Sequence, residues 1–289
     1  MIMQKTILIT GATGFLGSHL VKELLNNPNN HVFAVLGRPE DKANVLPDND
    51  HLEVIECDAF WNTDLKDIDT VVNCAFARSN DYGMLSSSLQ YTSRLINFLR
   101  CSDVHSAINI SSQGVYKRLP MGELASENSS IEPIDTYSLA KYATEQMFLA
   151  SGIPFVTNVR MASINMKQRF LNFFVQKVKS NEDIIITTPQ KPAALIDIHD
   201  AASGLAAVTN LPAEKRANTY NLGVGFQMTI LDYAKEVIRI GEEEGYQSKL
   251  IIEDNGNIGG AGMDCSKITN DCNWSIQISA TQMINELFK

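Results

Sequence analysis

The chain lacks any apolar run long enough to cross a bilayer, which takes about 20 consecutive apolar residues. Its first residues, MIMQKTILIT, lead straight into a strand-like segment. They show no charged leader, apolar stretch and small-residue cleavage site of the kind that marks a signal peptide. We therefore expect a cytoplasmic protein that has no membrane partner.

Positive charge is also scarce, with 24 lysines and arginines against 33 acidic residues and a net charge of -9. The basic residues are scattered, whereas a nucleic-acid surface needs a basic stripe or cluster. The five cysteines are odd in number and include no C-x-x-C pair. We expect reduced thiols that act as small hydrophobic residues, no metal site and no nucleic-acid partner.

What the chain does have is a regular alternation of apolar runs and helical patterns. KTILIT, HVFAVLG, LEVIEC, DTVVNCA, SAINISS and PFVTNVR are short and nearly continuous in hydrophobic residues, as strands buried on both faces are. Helical segments such as GSHLVKELLNN separate several of them. This order predicts an α/β fold with a doubly wound parallel sheet of the Rossmann type and helices on both sides.

A glycine-rich turn follows the first predicted strand. LITGATGFLGSHL places Gly11, Gly14 and Gly17 at G-x-x-G-x-x-G spacing, after a strand and at the start of a helix. Such a turn lets a pyrophosphate approach bare backbone, and the N-terminus of the helix supplies unpaired N–H groups. We interpret it as a dinucleotide-binding loop.

The end of the second strand bears on which dinucleotide binds. An acidic residue there would accept hydrogen bonds from the ribose of NAD, but the chain has Gly37 followed by Arg38. A small residue beside an arginine leaves room and charge for a 2′-phosphate. The sequence therefore favours NADP over NAD; the alternative is that Arg38 is a solvated surface residue. Asp58 is expected to end the third strand, and it is either an adenine contact or an ordinary N-cap or loop aspartate.

A tyrosine and a lysine, Tyr137 and Lys141, stand four residues apart and share one face of a predicted helix. A phenol with a pKa near ~10 is a poor acid–base catalyst at neutral pH, and a nearby ammonium group lowers that pKa. Such pairs also occur by chance. Ser112 ends a buried strand, where it can hold a carbonyl oxygen beside Tyr137.

The motifs TGATGFLG, ISSQGVY and YSLAK, in this order, resemble those of the extended short-chain dehydrogenase/reductases, the NAD(P)-dependent epimerase/dehydratase family. VVNCAFA, NVRMASINM, LIDIHDAASGLAAV, YNLGVG and DCSKITNDCNW are similar to later segments of that family, so the resemblance covers nearly the whole chain.

The resemblance implies that Tyr137 donates or accepts the proton and that Ser112 orients the reacting oxygen. It implies that Lys141 holds the nicotinamide ribose and lowers the Tyr137 pKa. The glycines of the loop would cradle the pyrophosphate, and Asp58 would meet the adenine. The other cofactor contacts that it implies are Thr13, Phe15, Leu16, Ala59, Cys74, Ala75 and Ala77.

Three positions depart from the family pattern. Gln113 and Gly114 stand where the dehydratases have Asp-Glu, which disfavours 4,6-dehydration. Ser88 and Tyr91 replace the asparagine and glycine of the helix that forms the family's dimer. In the family, two arginines clamp the pyrophosphate of the substrate. Ala193 replaces one of them and the other is absent, so the sequence does not decide whether the substrate carries a nucleotide. The cations that could substitute are Lys167, Arg169 and Lys191.

The βα alternation is regular before residue 158 and breaks down after it, which predicts two interleaved lobes. Residues 1–157 and 191–222 would form the cofactor lobe, and residues 158–190 and 223–289 the substrate lobe. The leading hypothesis is an NADP- or NAD-dependent reductase or dehydrogenase of a sugar-like substrate, with or without a linked nucleotide, active as a homodimer. The alternatives are an epimerase that retains its cofactor and a non-catalytic NAD(P)-binding regulator.

Overall fold

A computed structural model describes residues 5–37, 43–120, 122–165, 170–254, 256, 260 and 262–289. The strands in these ranges are β1 (Lys5–Thr10), β2 (Asn30–Val35), β3 (Leu52–Ile55), β4 (Thr70–Asn73), β5 (Ser106–Ser112), β6 (Leu124–Ala125), β7 (Phe155–Met161), β8 (Ser163–Ile164), β9 (Ile184–Ile186), β10 (Pro192–Ala193), β11 (Leu195–Ile196), β12 (Thr219–Leu222), β13 (Met228–Thr229), β14 (Leu250–Ile252) and β15 (Gly262–Met263). The helices are α1 (Phe15–Leu25), α2 (Cys57–Phe60), α3 (Tyr82–Cys101), α4 (Thr136–Leu149), α5 (Phe170–Lys179), α6 (Ile198–Asn210), α7 (Ile230–Glu243), α8 (Ser266–Cys272) and α9 (Ala280–Phe288).

A seven-stranded sheet in the order β12-β7-β5-β4-β1-β2-β3 forms the centre of the molecule. Every pair of neighbouring strands in it is parallel. The predicted α/β fold with a doubly wound sheet is therefore confirmed. The chain runs outward from β1 to β3 and then crosses back to β4, so the strand order reverses between β1 and β4. Ligands bind at such a switch point, outside the carboxyl ends of the strands.

Alternating side chains of β1 supply the cores on the two faces of this sheet. Ile7 and Ile9 belong to a core that includes Leu20 of α1 and Leu205 of α6. Leu8, between them, belongs to a second core that includes Leu95 of α3. A strand buried on both faces is continuously apolar for this reason, which is the pattern seen in the sequence.

A third core lies among elements that follow residue 170. It joins α5, α7 and α9 to the two-stranded parallel sheet of β9 and β14, with Phe174, Val237 and Ile284 among its buried side chains. The division into two interleaved lobes stays a prediction. β7 continues to Met161, beyond the boundary predicted at residue 157. In the part of the chain that the structure describes, no helix combines the length and apolarity needed to span a membrane.

Candidate active site

The turn between β1 and α1 has two positions at which a side chain does not fit. Gly11 has a φ of +67°, in the left-handed region that favours glycine. A Cβ at Gly17 would lie 2.2 Å from the carbonyl oxygen of Gly11. α1 begins at Phe15 after Gly14, which makes no side-chain capping bond. The first N–H groups of α1 are therefore available to an anion, and the turn fits a dinucleotide pyrophosphate.

Two adjoining cavities open beside this turn. The inner cavity, of about 280 Å³, is lined by Gly14, Phe15, Leu16 and Gly17 together with residues of the loop after β4 and of β5, α4, β7 and β8. The loop cavity, of about 670 Å³, is lined by Gly11, Thr13 and Gly14 together with Gly37, the loop after β4 and α3. The predicted loop residues therefore all face one cavity or the other.

An outer cavity, of about 380 Å³, lies between the ends of β2 and β3 and the side of α3. Gly37 and Asp58, the residues assigned from the sequence to the adenosine end of a dinucleotide, both line it. Asp58 does not lie at the end of the strand as expected: β3 ends at Ile55, and Asp58 lies in the one-turn helix α2. Ala59, in the same turn, is exposed. Arg38 lies outside the described residues.

The loop after β4 carries the predicted residues Cys74, Ala75 and Ala77, and all three line the loop cavity. Asn73 at the end of β4 accepts a hydrogen bond from the backbone N–H of Ala75 at 3.3 Å. Ser88 Oγ on α3 accepts another from the backbone N–H of Ala77 at 3.1 Å. The serine that replaces the family's asparagine therefore holds the loop against α3.

Ser112, Tyr137 and Lys141 line the inner cavity together. Ser112 is the last residue of β5, and the other two belong to the first turns of α4. The structure thus brings the three predicted catalytic side chains to one space, next to the turn between β1 and α1.

The start of α4 is fixed by two side chains outside it. Asp135 caps the helix by accepting a hydrogen bond from the N–H of Ser138 at 2.7 Å. Asn80 Oδ1 accepts from the N–H of Tyr137 and from the hydroxyl of Thr136, both at 3.0 Å. The loop after β4 therefore sets the position of the turn that carries Tyr137.

Lys141 is 3% exposed, and its ammonium nitrogen lies 4.1 Å from the centre of the Phe76 ring. Burial lowers the pKa of Lys141 to about 7, although the charges of Cys74 and Glu145 act in the opposite direction. The Phe76 ring also makes an edge contact with the Tyr137 ring, with 6.1 Å between the ring centres. Phe76 therefore touches both members of the tyrosine–lysine pair.

The hydroxyl of Ser112 is oriented by the residues that follow it. Its oxygen accepts a hydrogen bond from the N–H of Gly114 at 3.1 Å, which leaves its hydrogen to be donated. A Cβ at Gly114 would lie 2.2 Å from Ser138 Oγ. A glutamate, which the dehydratases have at this position, would therefore require the Ser138 side chain to move. Gln113 turns aside, and its amide nitrogen donates to Ser163 Oγ at 3.0 Å.

A polar ladder crosses four neighbouring strands beneath the site. Thr10 donates to Asn73 at 2.8 Å, Asn73 to Asn109 at 3.4 Å, and Asn109 to Asn158 at 3.0 Å. Asn109 also donates to Thr144 on α4, whose hydroxyl in turn donates to the carbonyl oxygen of Lys141. These buried bonds connect the strand ends to the helix turn that carries Lys141.

A buried ion pair lies one turn further along α4. Arg160 on β7 donates to both carboxylate oxygens of Glu145, at 3.0 and 2.8 Å. The same guanidinium donates to the hydroxyl of Tyr116 at 3.0 Å. Its pKa is raised above the ordinary value by these partners despite its burial. The pair anchors α4 to the central sheet.

The residues of this region that the sequence predictions missed include Phe76, Arg78, Asn80 and Ser163. Phe76, Arg78 and Ser163 line the inner cavity, and Asn80 positions α4. A signal for the first three was present, because Phe76, Arg78 and Asn80 follow β4 at the carboxyl edge of the sheet. Ser163 follows β7 in the same way.

The comparisons with known proteins agree with this arrangement. Residues 7–223 match the model of the NAD dependent epimerase/dehydratase family. The chain is similar to the uncharacterized UDP-glucose epimerase YtcB of Bacillus subtilis, with 25% identity over 276 residues that cover 86% of this chain and 85% of that protein.

Two solved structures from Bacillus cereus have the same fold. The UDP-glucuronic acid 4-epimerase in complex with UDP-glucuronic acid and NAD superposes with a TM-score of 0.81 at 20% identity, covering 98% of each chain. The UDP-N-acetylglucosamine 4-epimerase superposes with a TM-score of 0.78 at 20% identity, again over 98% of each chain. The family match spans most of the chain and agrees with the resemblance in its motifs: the protein belongs to the NAD dependent epimerase/dehydratase family.

Proposed function

We propose that this protein is an NAD(P)-dependent epimerase of a sugar, with a nucleotide sugar as the substrate class. The observation that carries the proposal is the shared inner cavity, in which Ser112, Tyr137 and Lys141 stand beside the glycine turn. The similarity to YtcB and to the two Bacillus cereus epimerases supports the substrate class. Epimerization was the alternative to the reductase in the sequence analysis, and these relatives favour it.

The chain's own side chains have distinct roles in this proposal. Tyr137 removes the proton from the substrate hydroxyl and returns it. Ser112, whose oxygen already accepts from Gly114, donates its hydrogen to the oxygen on the reacting carbon. Lys141 provides a buried positive charge beside Tyr137 and a donor for the nicotinamide ribose. NAD(P), when bound, supplies the acceptor and donor of the hydride.

Water elimination is disfavoured by the geometry after β5. A dehydratase needs an acid and a base on the residues that follow Ser112, and this chain has the neutral Gln113 and Gly114 there. A side chain at Gly114 would displace the Ser138 hydroxyl. The side chain of Gln113 is engaged with Ser163.

A second function is an NADPH-dependent reductase of the same class of sugar. The glycine that follows β2 favours it, because Gly37 leaves space for the 2′-phosphate of a cofactor that exchanges with solution. The two functions share the residues of the inner cavity and differ in whether the cofactor leaves.

The two functions are separated by product analysis. The purified protein would be incubated with UDP-glucose, UDP-glucuronic acid and UDP-N-acetylglucosamine in the presence of NAD, and with a 4-keto nucleotide sugar in the presence of NADPH, and the products would be followed by proton NMR. An epimerase forms the C4 epimer with no net change in absorbance at 340 nm. Stoichiometric consumption of NADPH would support the reductase. No turnover of any of these sugars under either condition would contradict the proposed substrate class.

A further inference from the structure

The outer cavity holds a guanidinium group that no prediction from the sequence included. Arg94 of α3 lines this cavity together with Gly37 and Trp61. Its central carbon lies 3.8 Å from the centre of the Trp61 ring, so the guanidinium stacks on the indole face. A stacked guanidinium has a defined plane, which suits bidentate binding of an oxyanion.

The indole that supports Arg94 is itself fixed by aromatic neighbours. Trp61 makes edge contacts with Tyr91 and Phe98, with 5.6 and 5.7 Å between ring centres, and a tilted contact with Phe60 at 4.9 Å. Tyr91, which replaces the family's glycine, lies near the Thr10 side chain at the end of β1. The aromatic cluster therefore lies beside the strand that precedes the dinucleotide turn.

The charged side chains around the outer cavity leave the Arg94 guanidinium available to a ligand. Among the described residues, no carboxylate forms an ion pair with it, and its contact is with Trp61. Asp58 lines the same cavity from α2 but is not paired with Arg94. The segment after β2 contributes Gly37, which adds neither bulk nor negative charge beside the guanidinium.

We propose that Arg94, stacked on Trp61, forms a subsite for the 2′-phosphate of an adenosine ribose and gives the protein its preference for NADP. A phosphate monoester carries between one and two negative charges at neutral pH and accepts paired hydrogen bonds from a guanidinium. The subsite would bind this group whichever sugar the protein acts on, and with or without turnover.

The test uses two nucleotides that differ only in the 2′-phosphate, namely adenosine 2′,5′-bisphosphate and adenosine 5′-monophosphate. The chain has two tryptophans. Trp274 is 8% exposed and donates to Ser203 at 3.0 Å, away from the outer cavity. Trp274→Phe therefore leaves Trp61 as the sole reporter, and its fluorescence is titrated with each nucleotide. Calorimetry on the unsubstituted protein measures the same two dissociation constants without the reporter.

We expect the bisphosphate to bind at least tenfold more tightly than the monophosphate and to change the emission of Trp61. Arg94→Gln should abolish most of this preference and leave the affinity for the monophosphate within about twofold of the starting value. Arg100→Gln, at an exposed position near the end of the same helix, is the matched control and should keep the preference.

Three results would overturn the subsite. They are a starting protein with no preference for the bisphosphate, an Arg94→Gln protein whose preference is unchanged, and a calorimetric preference without any change in Trp61 emission. Should Arg94→Gln fail to fold, Arg94→Lys keeps the charge but loses the planar fork. It should retain some preference, at reduced strength, and an undiminished preference would also count against the subsite.

Discussion

The ammonium nitrogen of Lys141 lies over the face of the Phe76 ring, 4.1 Å from its centre. A cation on an aromatic face is stabilised by about 0.5–2 kcal/mol, most strongly where water is excluded. Phe76→Leu should therefore lower the pKa of Lys141 below its value of about 7. We expect a decrease of about 0.5–1 pH unit, since one unit corresponds to about 1.4 kcal/mol.

The measurement is ¹³C NMR of ε-labelled lysine, with the Lys141 signal assigned by its loss in Lys141→Met. Phe76→Tyr keeps an aromatic face and is the control, which should titrate close to the starting protein. An unchanged or higher Lys141 pKa in Phe76→Leu would contradict the role of the ring.

The low pKa of Lys141 also makes stability depend on pH. The folded-state pKa is about 7, whereas the ordinary value is 10.5, so the unfolded chain binds more protons between these values. The free energy of unfolding should therefore increase as the pH rises from 7. Between pH 7 and 8.5 the contribution of Lys141 is roughly 1–2 kcal/mol.

Urea unfolding of the starting protein and of Lys141→Met at pH 7 and 8.5 measures this contribution. Lys5, whose pKa is lowered to about 8 by burial, contributes equally to both proteins and cancels. Cys74 and Cys265 have pKa values raised to about 12 by burial, so they affect stability only above about pH 9. The same pH dependence in both proteins would exclude Lys141 as its source.

Much of the sheet was predictable because strands buried on both faces are continuously apolar. KTILIT became β1, and SAINISS became β5 with the predicted bounds. Asp58 was placed wrongly because LEVIEC was taken as one strand, whereas the chain turns into α2 at Cys57. A one-turn helix is too short to have a periodic pattern of its own.

Side-chain pairings across the site could not be predicted in the same way. Phe76 has no distinguishing neighbours in the sequence, and its contacts with Tyr137 and Lys141 depend on how the loop after β4 meets α4. Gln113 and Ser163 are fifty residues apart and meet because β5 and β7 are neighbours in the sheet. Long-range pairings of this kind follow from the strand order, which apolar patterns alone do not specify.

The buried pair of Arg160 and Glu145 should be important for stability. The two side chains are 7% and 1% exposed. Glu145→Gln would leave the Arg160 guanidinium buried without a counter-charge, which costs about 3–5 kcal/mol. Glu286→Gln is the control, since Glu286 and its partner Lys289 are 70% and 74% exposed and such a pair is worth at most about 1 kcal/mol. Urea unfolding measures the loss of stability in each variant. Equal losses would show that the burial of the Arg160–Glu145 pair does not add to its importance.

Exposed apolar side chains on α3 and α4 support the predicted homodimer. Tyr82 of α3 is 84% exposed, and Leu139 of α4 is 57% exposed. Apolar residues on the outer sides of two packed helices indicate a surface that a second copy can cover. We expect sedimentation at micromolar concentration to give twice the chain mass of 32.0 kDa. Leu139→Glu should shift the protein toward the monomer, and a monomeric starting protein would contradict the prediction.

The proposed chemistry depends most directly on the hydroxyl of Tyr137. Tyr137→Phe keeps the ring and its contact with Phe76 and removes only the oxygen that transfers the proton. Turnover should fall by about 10²–10⁴-fold, the usual contribution of a general acid–base group. The affinity for the cofactor, measured by calorimetry, should stay within about twofold, because the turn that binds it is unchanged. Single-turnover stopped flow measures the hydride step itself.

Two further variants separate this role from a merely structural one. Lys141→Met should lower both turnover and cofactor affinity, because it removes a charge beside Tyr137 and a donor to the ribose. Its remaining activity should have an optimum at higher pH, where the phenol ionises without help. Ser112→Ala should lower turnover less than Tyr137→Phe, since Tyr137 can still transfer its proton to a less firmly held oxygen. Undiminished hydride transfer in Tyr137→Phe would refute the mechanism, because no other change in that variant touches the reacting atoms.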